Sequence, residues 1–145
     1  MSRRALALLV LLALGQGAAF AQSEAPDWVP HRRRTVVTTT SITILDNLRF
    51  LPGSPLIDPA TTPILDAISQ TLAGNTDIKL VEIRAYAADA MPGLQWVTAQ
   101  LRARNIVGYL VEHGVESERL VPRGVPLPPA GSHARFELEI VTRAP

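Results

Sequence analysis

The sequence predicts an α/β chain of the α+β kind: a two-layer sandwich in the order β-α-β-α-β-β, with both helices on one face of a mixed sheet. Three observations carry this. Two stretches show apolar residues at helical spacing and end at glycine; four others are rich in β-branched or alternating residues; the two kinds interleave along the chain. There is no internal repeat.

Thr35 to Leu45 (TVVTTTSITIL) is dense in β-branched residues and reads as the first strand. Phe50, Leu51 and a Pro52-Gly53-Ser54-Pro55 turn follow. Asp58 before Pro59 is an N-cap followed by the proline that suits the first helical position. Ile64, Leu65, Ile68 and Leu72 then share one helical face, and Gly74-Asn75 ends the helix. Lys79 to Tyr86 (KLVEIRAY) is the second strand. A loop of small residues leads to a long helix from about Leu94 to His113, with Ala99, Ala103, Ile106 and Leu110 on its buried face and Gly114 as its stop. Arg119 to Val125 is a short strand, and Pro126 to Ser132 (PLPPAGS) a proline-rich loop. Phe136, Leu138 and Ile140 alternate with Glu137, Glu139 and Val141 in the last strand.

Ahead of this domain, residues 1–21 have the pattern of a secretory signal: Arg3-Arg4, ten apolar residues from Ala5 to Leu14, and Ala19-Phe20-Ala21 before the expected cut at Gln22. The apolar stretch is short for a membrane span of ~20 residues. Residues 22–34, with Pro26, Pro30 and Arg32-Arg33-Arg34, read as a linker, leaving 35–145 as the domain.

The whole chain has 14 basic and 13 acidic side chains, a net charge of +1, and no cysteine. A dedicated nucleic-acid binder would carry a clear basic excess, so that class is excluded. The lack of cysteine excludes disulfides, thiolate metal sites, cysteine nucleophiles and a lipid-modified cysteine, so the chain is not expected to be a lipoprotein. His31, His113 and His133 lack metal-ligand spacing. Glu137 and Glu139 share a strand face, as paired glycosidase carboxylates could, but nothing else supports that chemistry. Ser132-His133 has no nucleophile elbow around it. No cofactor and no catalysis are expected.

Four stretches in order resemble the OmpA-like C-terminal domain, the peptidoglycan-binding module of envelope proteins: ITILDNLRFLPGSPLIDPA (42–60), TPILDAISQTLAGNTDIKLVEIRAY (62–86), RARNIVGYLVEHGVESERLVPRG (102–124) and ARFELEI (134–140). The resemblance implies the sandwich fold, a periplasmic location with possible outer-membrane or cell-wall association, and peptidoglycan as partner. It also implies a binding pair for the diaminopimelate end of the stem peptide, with an aspartate after the second strand for the ammonium and a helix arginine for the carboxylate.

Arg102-Ala103 matches the family's helix pair, with Tyr109-Leu110 at the expected distance beyond. The strand-end motif is replaced by Ala85-Tyr86-Ala87-Ala88, so the aspartate falls one place late, at Asp89, in a loop about one residue shorter. Arg135, at the start of the last strand, reads as a surface ion-pair former; its match to the family's second arginine there also makes it an anion-contact candidate. Tyr86 ends a strand beside the expected pocket, and Trp96 is expected to pack on the sheet. The other reading of this changed site is a protein–protein adaptor that keeps the fold without the ligand.

Overall fold

The computed structural model describes residues 35–44, 47–133 and 135–145. The signal expected over 1–21 and the linker expected over 22–34 lie outside the described residues.

The region expected to be one opening strand is two. β1 (Thr35–Val37) and β2 (Ser41–Ile44) pair antiparallel, with Thr35 opposite Ile44 and Val37 opposite Ile42. The Thr38–Thr40 run makes the turn between them. Thr38 N–H donates to the Ser41 carbonyl at 2.8 Å, and Thr38 Oγ1 accepts from Ser41 N–H at 3.0 Å. A threonine hydroxyl offers the backbone a local partner in place of a ladder, and that is what breaks the strand.

Asp58 caps as expected, accepting from Ala60 N–H at 3.0 Å, but the element it opens is a single 3₁₀ turn over Pro59–Thr61. α1 begins after it (Thr62–Gly74) and buries Ile64, Leu65, Ile68 and Leu72. β3 (Ile78–Tyr86) follows, then α2 (Gln95–Glu112), whose buried face includes Ala99, Ala103, Ile106 and Leu110. β4 (Leu120–Val125) and β5 (Phe136–Arg143) complete the chain.

The five strands form one sheet in the order β1-β2-β5-β3-β4. β3 and β4 are parallel and the other neighbours antiparallel, so the sheet is mixed. Along β3 and β5 the pairs Val81–Ile140, Ile83–Leu138 and Ala85–Phe136 face the helices and join α1 and α2 in one apolar core. The pairs Glu82–Glu139 and Arg84–Glu137 alternate with them. Two glutamates directly opposite would repel; Arg84 bridges them, with Nε 2.6 Å from Glu82 Oε1 and an ion pair to Glu139.

The antiparallel β3–β5 pairing fixes the position of the site. It sets the C-terminal end of β3, with the loop that follows, beside the start of β5, where Tyr86 N–H donates to the Arg135 carbonyl at 2.9 Å.

Candidate functional site

After Tyr86 the chain turns tightly, with Ala90 N–H donating to the Ala87 carbonyl at 3.1 Å. Ala87 and Ala90 bury their methyl groups against Ala99 of α2. Small side chains let this loop lie close to the helix, and Asp89 is left at its rim with 32% of its side chain exposed.

Arg102 reaches the same point from the buried face of α2, and its side chain is 1% exposed. Its guanidinium is spent within the chain. Nη1 lies 2.7 Å from Asp89 Oδ1 and Nη2 2.9 Å from Asp89 Oδ2, a forked pair that lysine could not form. Nη1 also donates to the Tyr86 carbonyl at 2.8 Å, and Nε to the Ser54 carbonyl at 2.9 Å. The Phe50 ring lies under it, 4.6 Å from Cζ to the ring centre.

The 52–55 turn straps this pair. Gly53, at φ +64°, turns its N–H onto Asp89 Oδ2 at 2.9 Å, and Asn105 Nδ2 donates to the Pro55 carbonyl at 2.8 Å. An L side chain adopts that φ only with strain, so glycine is what aims the donor. The Asp89 carboxyl is held well below the usual carboxylate range. The Arg102 hydrogen bonds are the main cause, opposed by partial burial and assisted by Gly53 N–H.

Beside Asp89 opens a cavity of about 220 Å³ lined by Tyr86, Ala88, Asp89, Pro128, Ser132, His133 and Arg135. Tyr86 is buried, and its phenol donates to Glu137 Oε2 at 2.7 Å. Burial, then this hydrogen bond, push its pKa up to about 12. A wider groove of about 550 Å³ runs along β2 and β5 and includes Arg84, Glu137, Glu139 and Arg135. Among the described residues no three His, Asp or Glu side chains converge to hold a metal ion, and no helix is long and apolar enough to cross a membrane.

Asp89 and Arg102, the two residues singled out in the sequence, are thus in direct contact. Arg102 faces Asp89 rather than solvent, so a ligand carboxylate has no open path to its guanidinium in this arrangement. Arg135 and Tyr86 border the cavity. Trp96 does not pack on the sheet: it is 62% exposed, on the outer side of the first turn of α2. Glu137 and Glu139 each have a partner, Tyr86 and Arg84. Sequence reasoning noted the Pro52–Pro55 turn and His133 but did not place either at the site, and missed Asn105 beneath the turn. The Pro-Gly-Ser-Pro motif was the only signal of the strap.

The sequence model of the OmpA family matches residues 49–127, more than half of the chain. A search of curated proteins finds no match. Several solved structures share the fold. The OmpA-like domain of FopA1 from Francisella tularensis superposes with a TM-score of 0.57 at 16% identity, covering 77% of this chain and 79% of that one. The cell wall anchor of the type VI secretion system (T6SS) from Pseudomonas aeruginosa gives 0.58 at 19% identity, covering 77% and 90%. The periplasmic domain of Helicobacter pylori MotB gives 0.55 at 15% identity, covering 76% and 79%. At these identities the likeness is one of fold. With the family match over residues 49–127, it places the chain in the OmpA family.

Proposed function

We propose that this chain is a non-covalent peptidoglycan-binding module of the Gram-negative cell envelope, exported by residues 1–21, and that it recognises the diaminopimelate of the stem peptide. Its work is binding, not catalysis. The observation that carries this reading is a fixed anion at the mouth of a cavity. Asp89 is clamped by Arg102 and Gly53, kept ionised, and still one-third exposed where the cavity opens. A carboxylate has about four acceptor positions, and three hydrogen bonds from Arg102 and Gly53 leave capacity for an ammonium donor. Arg102 serves the site by orienting Asp89, so the two act as one unit. The fold shared with a T6SS cell wall anchor supports the same reading.

The test is sedimentation with purified sacculi. The full chain pellets with them, less so at high salt; Asp89→Asn and Arg102→Ala stay in solution. Wild-type protein that remains in the supernatant overturns the reading.

A second reading rests on a separate observation. Val97 and Leu101 are exposed one turn apart on α2, with Leu94 exposed at its N-cap and Met91 exposed in the loop before it. An apolar surface of this kind suits contact with another protein. The adaptor it describes predicts sacculus-independent behaviour, and cross-linking to an envelope protein that survives Arg102→Ala.

A further inference from the structure

Resting on the peptidoglycan reading, we infer that Trp96 is a platform for the sugar rings of the glycan strand from which the stem peptide hangs. Trp96 stands on the first turn of α2 and is 62% exposed. The core does not hold it there, and its flat apolar ring is a surface that a ligand can bury. Leu127, 58% exposed, is the large apolar residue of the loop after β4. The seating of α2 on β4 brings the two to one place. Gln100 meets Gly124, whose N–H donates to Gln100 Oε1 at 2.7 Å. α2 carries the chain from β3 back to the start of its parallel neighbour β4, so helix and strand run in opposite directions. Trp96 comes one turn before Gln100, a rise of about 6 Å, or nearly two residues of strand. It therefore lies level with Pro126 and Leu127, where β4 has ended and no longer covers it.

The chemistry of these segments selects the occupant. Neither 90–101 nor 124–132 carries a charged side chain, although the cavity beside them is bordered by Asp89 and Arg135. An ionic ligand has no partner on such a surface. A pyranose ring is neutral and has a face of C–H groups that lies flat on an aromatic ring, so it fits. Position agrees with chemistry. Pro128, the residue after Leu127, lines the cavity onto which Asp89 opens, and Asp89 precedes Trp96 by seven residues. A stem peptide is only a few residues long, so one held at Asp89 keeps its glycan within roughly 10 Å of it. The surface is thus ionic where the peptide ends and uncharged where the sugars pass.

The experiment follows the fluorescence of Trp96 in the full chain carrying Trp28→Phe, which leaves Trp96 as the sole tryptophan. The probe is chitotetraose, an oligomer of N-acetylglucosamine with neither charge nor peptide. Its addition shifts the emission to shorter wavelength, and the shift saturates. In sedimentation with sacculi, Trp96→Ala binds about three- to tenfold more weakly, the worth of one aromatic stacking contact, and Trp96→Tyr restores part of the loss. An emission unmoved by the oligosaccharide, or a Trp96→Ala variant that sediments as wild type does, overturns the assignment. Loss of sedimentation in Asp89→Asn then leaves the peptidoglycan reading standing. Cross-linking to an envelope protein that Trp96→Ala abolishes, with sedimentation unchanged, overturns the assignment in favour of a protein contact. A wild-type chain that neither sediments nor responds to the probe overturns both. Circular dichroism of each variant confirms that the fold is intact.

Discussion

The backbone of Gln100 passes so close to Gly124 that a Cβ on the glycine would lie 2.2 Å from the Gln100 nitrogen. α2 therefore rests directly on β4 with no side chain between them. The same two residues fasten the contact, because Gly124 N–H donates to Gln100 Oε1 at 2.7 Å. This seating brings the same turn of α2, with Arg102, down onto the end of β3.

Gly124→Ala must push helix and strand apart, because the atoms it meets are backbone and cannot rotate away. The expected cost is about 2–3 kcal/mol, a fall in Tm on the order of 10 °C for a domain of this size. Gly108→Ala is the control. It sits in the same helix with nothing within 4 Å of the added methyl, and should gain roughly 0.5–1 kcal/mol. Thermal melts of both variants check this; equal melting points would contradict the close approach.

The Asp89–Arg102 pair makes stability fall with acid. Asp89 has a folded pKa well below its unfolded value, so its contribution is complete above the unfolded value of about 4. It is lost as pH drops through that value toward the folded pKa, because the unfolded chain takes up the proton first. Asp89→Asn should cost about 3 kcal/mol near neutrality, the low end for a broken buried pair since Asp89 is a third exposed. Urea unfolding between about pH 6 and pH 3 should show a flatter acid limb in the variant than in wild type. Parallel limbs would mean that the pair is not linked to folding.

The helices and the core strands were legible because burial repeats. Ile64, Leu65, Ile68 and Leu72, and then Phe136, Leu138 and Ile140, carry the periods of a helix face and a strand face in the order of their letters. The destination of Arg102 was not. Besides Asp89, its partners are the carbonyls of Ser54 and Tyr86, 48 and 16 residues away, and every residue has a carbonyl. No letter marks the ones that will be used. The split between β1 and β2 was hidden for a related reason: threonine favours strands by its branching and turns by its hydroxyl, and composition does not say which prevails at Thr38.

Arg119 holds the end of α1 from outside the helix. Its Nη2 donates to the Leu72 and Asn75 carbonyls at 2.9 and 3.0 Å, and its Nε to the Ile78 carbonyl at 3.1 Å. The last carbonyls of a helix have no partner within it, and a cation there also opposes the helix dipole. Arg119→Ala should cost about 1.5–3 kcal/mol, and the loss should be local. Hydrogen exchange should speed up at the Asn75 and Ile78 amides, which bond to the Leu72 and Asn75 carbonyls, more than in the centre of β3. Uniform acceleration would instead assign Arg119 to the global fold.

Tyr86 links the cavity wall to the open face of the sheet, and its titration reports on that link. The chain has two tyrosines, and both titrate above the ordinary range: Tyr86 through burial and Glu137, Tyr109 through its hydrogen bond to Asp66. A raised folded pKa gives stability that is present in full below the unfolded value of about 10. That stability is lost as pH climbs through about 12, where the buried phenol ionises. Glu137→Gln removes the carboxylate acceptor but not the burial, which is the larger cause, so the pKa should fall only part of the way toward its ordinary value. Ultraviolet difference titration of Glu137→Gln, with Tyr109→Phe as background to isolate one phenol, measures the shift. An unchanged midpoint would show that Glu137 does not hold the phenol, and that this wall of the cavity is set by packing alone.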